Sequence, residues 1–134
     1  MADVGFYLIQ SQILQVDLAC RICRKSIQTA QQPLLVKFDD LDALQQFDAL
    51  LWQFDPASFV AHDIDSLHSP ICLSLTLPEQ FKGDCLNLGQ AIIDPQRFGR
   101  VLEIIENTDA AKAAGRERFK AYRALGIEPV TYQV

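Results

Sequence analysis

Short apolar runs alternate with amphipathic stretches along this chain, and that alternation restricts the fold more than any other feature. "VGFYLIQ" at residues 4–10 is a run of β-branched and aromatic side chains and predicts a buried strand. Ile13, Val16, Cys20, Cys23 and Ile27 then recur at three- and four-residue steps, with Asp17, Arg21, Lys25 and Gln28 on a separate polar stripe. That spacing predicts an amphipathic helix over 12–30. Leu14, Leu18 and Ile22 form a further apolar line, so the helix is expected to be covered on more than one side. Pro33 punctuates, and "LLVKF" (34–38) reads as a second strand. Asp39 and Asp40 can cap a second helix, whose apolar stripe is Leu41, Leu44, Phe47 and Leu51, ending beside Trp52. "DPASFVAHDIDSLHSP" (55–70) reads as a loop. "ICLSL" (71–75) and "CLNL" (85–88) read as strands, and "RVLEII" (100–105) as a strand or a helix end, with strand the preferred reading. A last helix over 110–125 starts at Thr108 or Asp109 and stops at Gly126. Strands alternating with helices predict an α/β fold: a single three-layer domain over 1–134 with a largely parallel sheet.

Length and charge narrow the function. The 134 residues suit one core, and no internal repeat or linker interrupts them. No apolar run approaches the ~20 residues of a membrane span, so no membrane association is expected. "MADVGFYLIQSQ" has no basic region before its apolar run, which argues against a signal peptide. Four cysteines without an export signal then read as reduced thiols of a cytoplasmic protein. A formal charge of -5 argues against a general binder of the phosphate backbone.

Against that acidic background, residues 112–123 stand out. Lys112, Arg116, Arg118, Lys120 and Arg123 face one acid, Glu117, giving +4 in twelve positions and leaving -9 for the other 122. At ~100° per residue, Lys112, Arg116, Phe119, Lys120 and Arg123 share a stripe about 100° wide. Ala110, Ala114, Ala121 and Leu125 lie opposite and are expected to be the packing face. Arg118 falls outside the stripe, at ~240°, and is expected to do something else. The plain reading is a solvated face complementing the helix macrodipole. The functional reading is a cradle for an acidic peptide or a phosphate, held by charge-assisted hydrogen bonds.

Other constellations carry less. Cys20 and Cys23 form C-x-x-C on the apolar stripe of a predicted helix, where core thiols are expected rather than a redox or zinc site. His62, Asp63, Asp65 and His68 are metal-ligand types in a predicted loop without a companion motif, so no metal is expected there. No G-x-G-x-x-G, G-x-x-x-x-G-K-[ST] or G-x-S-x-G occurs. No cofactor and no catalytic residue are expected. Two alternatives stay open: a small metal-dependent α/β enzyme using that His/Asp loop, and a nucleic-acid binder using the basic helix.

"GFYLI" at the start, "LLWQFDPASFVAHDI" in the middle and "ERFKAYRALG" near the end resemble the chi subunit of bacterial DNA polymerase III in order and spacing. The resemblance implies a Rossmann-like domain without a phosphate-binding loop, serving as a non-catalytic adaptor of the clamp-loader complex. It implies binding to the acidic C-terminal tail of single-stranded DNA-binding protein, through Lys112, Arg116, Phe119, Lys120 and Arg123, with Ile105 as an apolar wall. Phe119 stands where some relatives carry Tyr, keeping the ring without its hydroxyl. Trp52 and Phe59 match a separate surface for the psi subunit or another replisome or helicase protein. The protein alone is expected to be a monomer. The loop between Pro70 and Leu88 looks shorter than in some relatives.

Overall fold

Residues 3–29, 32–54, 62–65 and 69–134 are described by the computed structural model. The apolar runs become strands because alternate side chains of each find an apolar layer on both faces. Strands β1 (Val4–Leu8), β2 (Leu34–Lys37), β4 (Ile71–Ser74), β5 (Asp84–Asn87) and β6 (Val101–Ile105) fall where the sequence puts them. Helices α1 (Gln15–Thr29), α2 (Leu41–Gln53) and α3 (Asp109–Ala124) do likewise. Two strands were not expected: β3 (His62–Ile64), inside the stretch read as a loop, and β7 (Val130–Gln133) after the last helix.

The sheet order is β3-β4-β2-β5-β6-β1-β7, and every paired neighbour is parallel. Both unexpected strands are therefore sheet edges. Each has a single partner strand, which fixes its extended state, and β7 lacks the buried apolar run of the equally short inner strands. β3 aligns His62 with Ile71, and β7 aligns Val130 with Gly5.

Alternation splits the core into two layers. Leu34, Val36, Ile71, Leu73, Leu86, Leu102 and Ile104 pack with Leu18, Cys20 and Cys23 of α1 and with Leu44, Phe47 and Leu51 of α2. Val4, Phe6, Leu35, Cys72, Cys85, Val101 and Ile105 face the other way, toward Tyr122 of α3 and the ring cluster Phe81 and Phe98. The result is the expected three-layer, Rossmann-like α/β architecture.

Local chemistry fixes the helix ends. Asp40 accepts the Ala43 N–H at 2.7 Å as the N-cap of α2, and Thr108 accepts the Ala111 N–H at 3.2 Å for α3. Gly126 follows α3 with a positive φ of 84°, and the Ile127 N–H closes back on the Tyr122 carbonyl at 3.2 Å. This is the left-handed stop that Gly supplies without steric cost.

All four cysteines are buried. Burial raises the thiol pKa to about 11 for Cys20 and about 12 for Cys85, and it pushes Cys23 up further. Only the thiolate is nucleophilic, so the native protein is expected to resist thiol reagents at neutral pH. All four thiols should react together once denaturant is added. A fast-reacting thiol in the folded protein would contradict the burial.

Candidate functional site

β1 and β6 are neighbours, yet their chains leave in opposite directions. After β1, α1 leads to β2 across β6 and β5, while after β6, α3 leads to β7 on the far side of β1. The two helices lie against opposite faces of the sheet. In parallel sheets a crevice opens outside the carboxyl ends of such a strand pair.

A cleft of about 290 Å³ lies at this point, between α3 and the strand ends. Phe6, Leu8, Ile9, Ile105 and Phe119 make it apolar, and Gln10, Glu106, Lys112, Arg116 and Thr131 give it polar edges. A larger cleft of about 470 Å³ lies at the amino ends of β2, β5 and β6, beside α1. It holds none of the site residues expected from the sequence, and its Arg100 is paired with Asp84 at 3.4 Å. The smaller cleft therefore has the better claim as the site.

The packing of α3 differs from the helical-wheel expectation. Its buried residues are Gly115, Arg118 and Tyr122, whereas Ala110 and Leu125 of the expected packing face are exposed. Two of these buried residues are not apolar letters, which hid the face. Gly115 lets the helix approach β6: a Cβ there would stand 2.6 Å from the Ile105 Cδ1. Arg118 donates from Nε to the Glu103 Oε1 at 3.0 Å, within the core.

Glu103 is fully buried. Its Oε2 also accepts the Tyr122 hydroxyl at 2.7 Å and the Asn87 amide at 2.8 Å. Burial raises the Glu103 pKa, while the Arg118 charge and the donors from Asn87 and Tyr122 pull it down. The Tyr122 oxygen in turn accepts the Ile93 N–H at 3.1 Å, so all the partners are satisfied. This anchor fixes the rotation of α3 and with it the direction of the cationic stripe.

Of the residues expected to form the site, Lys112, Arg116, Phe119 and Ile105 meet in the cleft. Phe119 is half-buried and packs edge-on against Phe6 with centroids 5.3 Å apart, so one side of its ring belongs to the core. Lys120 and Arg123 lie outside the lining, each beside an acid: Lys120 near Glu117 and Arg123 near Glu128, both at 3.6 Å. Lys112 and Arg116 have no carboxylate partner among the described residues.

Sequence reading missed Phe6, Leu8, Ile9, Gln10, Glu106, Gly115 and Thr131 as lining residues. Only Gly115 left a signal, a glycine inside an otherwise regular helix. Trp52 is half-exposed at the end of α2, away from the cleft lining. Phe59 and His68 lie outside the described residues. His62 and Asp63 fall in edge strand β3, and Asp65 is exposed just beyond it with a φ of 54°. Among the described residues, no three His, Cys, Asp or Glu side chains converge as metal ligands.

Comparison with known proteins gives one consistent match. The sequence model of the family described as DNA polymerase III chi subunit, HolC, matches residues 1–130. A Pseudomonas aeruginosa protein named DNA polymerase III subunit chi is 28% identical over 133 residues, covering 94% of this chain and 92% of that protein. A Haemophilus influenzae protein of the same name is 28% identical over 117 residues, covering 82% and 81%.

Proposed function

The chain belongs to the DNA polymerase III chi subunit family, and from that premise we propose that it is an adaptor capturing the acidic C-terminal tail of single-stranded DNA-binding protein in the α3 cleft. The coarse role, an accessory subunit in replication, comes with the family. The observation that carries the finer reading is the pairing state of the cations. Arg118, Lys120 and Arg123 are each matched with an acid of the same chain, whereas Lys112 and Arg116 line an apolar cleft with no such partner among the described residues. An acidic peptide ending in an apolar side chain complements that arrangement. Its carboxylates meet two unmatched cations, and its terminal ring meets Phe6, Ile105 and Phe119. A duplex or single strand fits less well, because the -5 chain repels phosphate outside this patch.

No helix among the described residues is long and apolar enough to cross a membrane; the adaptor is read as cytoplasmic and monomeric when alone. Trp52, half-exposed and away from the cleft, supports a second surface for a psi-type or helicase partner, with Phe59 assigned to it on the family resemblance.

The test is calorimetric titration of the wild-type protein with a short acidic peptide ending in Pro-Phe, as free acid and as amide. A single-stranded oligonucleotide is titrated separately. Saturable binding of the free acid is expected, weaker binding of the amide, and none of the oligonucleotide at physiological salt. Equal affinity for acid and amide, or tight binding of the oligonucleotide alone, would overturn the reading.

A further inference from the structure

We propose that Glu106 is a specificity-determining residue of the cleft, a pinned carboxylate that confines the ligand's negative charge to the α3 side. The inference rests on the acidic-peptide reading above. A carboxylate in the lining of a site for acidic peptides is unexpected, and its hydrogen bonding explains what it does.

Glu106 follows β6 directly and shares the cleft with Lys112 and Arg116. Its Oε2 accepts the N–H of Gln15, the first residue of α1, at 2.7 Å. Gln15 is itself tied to β6, since its Nε2 donates to the Ile104 carbonyl at 3.3 Å. The positive end of the fifteen-residue α1 favours the negative charge there. Among the described residues no ion pair joins Glu106 to Lys112 or Arg116.

Two consequences follow from this geometry. In α/β folds of this kind the helix start at the switch point is where a ligand's anionic group is usually held. Here the chain's own carboxylate holds that position. The cleft is also electrically polar along the α3 axis: negative at Glu106 just before the helix, then positive at Lys112 and at Arg116 one turn later. An extended acidic peptide is therefore accepted in one direction, with its acidic residues beside Lys112 and Arg116 and away from Glu106.

The test uses two peptides of identical composition, one with its acidic residues before a C-terminal Phe and one in reversed order. Each is titrated at low salt against wild type and Glu106→Gln. Glutamine keeps an acceptor oxygen for the Gln15 N–H and removes the charge, so the melting temperature should fall only slightly, by the lost interaction with the α1 terminus. Wild type should prefer the forward peptide. Glu106→Gln should bind the reversed peptide about fivefold more tightly, with under about twofold change for the forward one. Glu106→Ala should lower the melting temperature, reporting the lost cap separately. An unchanged preference in Glu106→Gln, or weaker binding of both peptides, overturns the assignment while leaving the acidic-peptide reading intact. Failure of wild type to bind either peptide overturns both.

Discussion

Arg118→Ala is expected to destabilise the protein by about 3–5 kcal/mol, the usual consequence of removing one partner from a buried ion pair. With Arg118 gone, the fully buried Glu103 keeps only the neutral donors from Tyr122 and Asn87. Burial, already the largest influence on this carboxyl, then acts without the opposing guanidinium. A carboxyl whose folded pKa is raised keeps its proton in the native state after the unfolded chain has released it. Stability from such a group is complete below the ordinary carboxylate pKa of about 4.3, and it is lost as pH rises through the native value. The deficit of Arg118→Ala relative to wild type should therefore grow from pH 5 to pH 8. Urea unfolding of both proteins at the two pH values measures this. A loss under about 1 kcal/mol at both would show that Arg118 is a surface cation after all.

That prediction turns on a residue whose position was legible while its role was not. Arg118 falls outside the cationic stripe on the helical wheel, yet no rule of periodicity sends an arginine into a core. Its burial depends on Glu103, fifteen residues earlier on the middle of β6, and on the close approach that Gly115 permits. Reading the packing face of α3 from its alanines failed for the same reason. The face is set by Gly115, Arg118 and Tyr122, and a hydrophobic pattern does not register two of these three residues.

The elements themselves were easier to read, because β1, β2, β4, β5 and β6 are apolar on both faces and the helices carry full stripes and caps. β3 and β7 escaped because each is a sheet edge whose pairing with one neighbour is not written in its own sequence. The residues of β7 are all exposed, and what holds it extended is the ladder with β1 together with the stacking of Tyr132 on Tyr7. Missing β7 also meant missing Thr131, one wall of the cleft. Lys112, Arg116 and Phe119 were legible as one helical stripe. Their meeting with Phe6, Leu8 and Glu106 depends on β1 lying beside β6, a topological fact that no local pattern carries.

Arg116→Ala is expected to weaken the acidic peptide by tenfold to a hundredfold, from loss of a charge-assisted contact of about 1.5–3 kcal/mol. Arg116 is chosen over the other cations on three grounds. It lines the cleft, it has no acid of its own among the described residues, and its planar guanidinium can hold a carboxylate through two parallel hydrogen bonds. Lys112 shares the first two properties but acts as a point charge, so Lys112→Ala should cost less and chiefly reduce the salt dependence. Lys120→Ala and Arg123→Ala should cost least, since these cations lie beside Glu117 and Glu128 outside the lining. The exposed Arg116 contributes nothing to the core, so the melting temperature of Arg116→Ala should match wild type, unlike that of Arg118→Ala. Titration of all four variants at two salt concentrations ranks them. An Arg116→Ala affinity equal to wild type, or a Lys120→Ala loss exceeding it, would move the carboxylate clamp out of the cleft and onto the solvent face of α3.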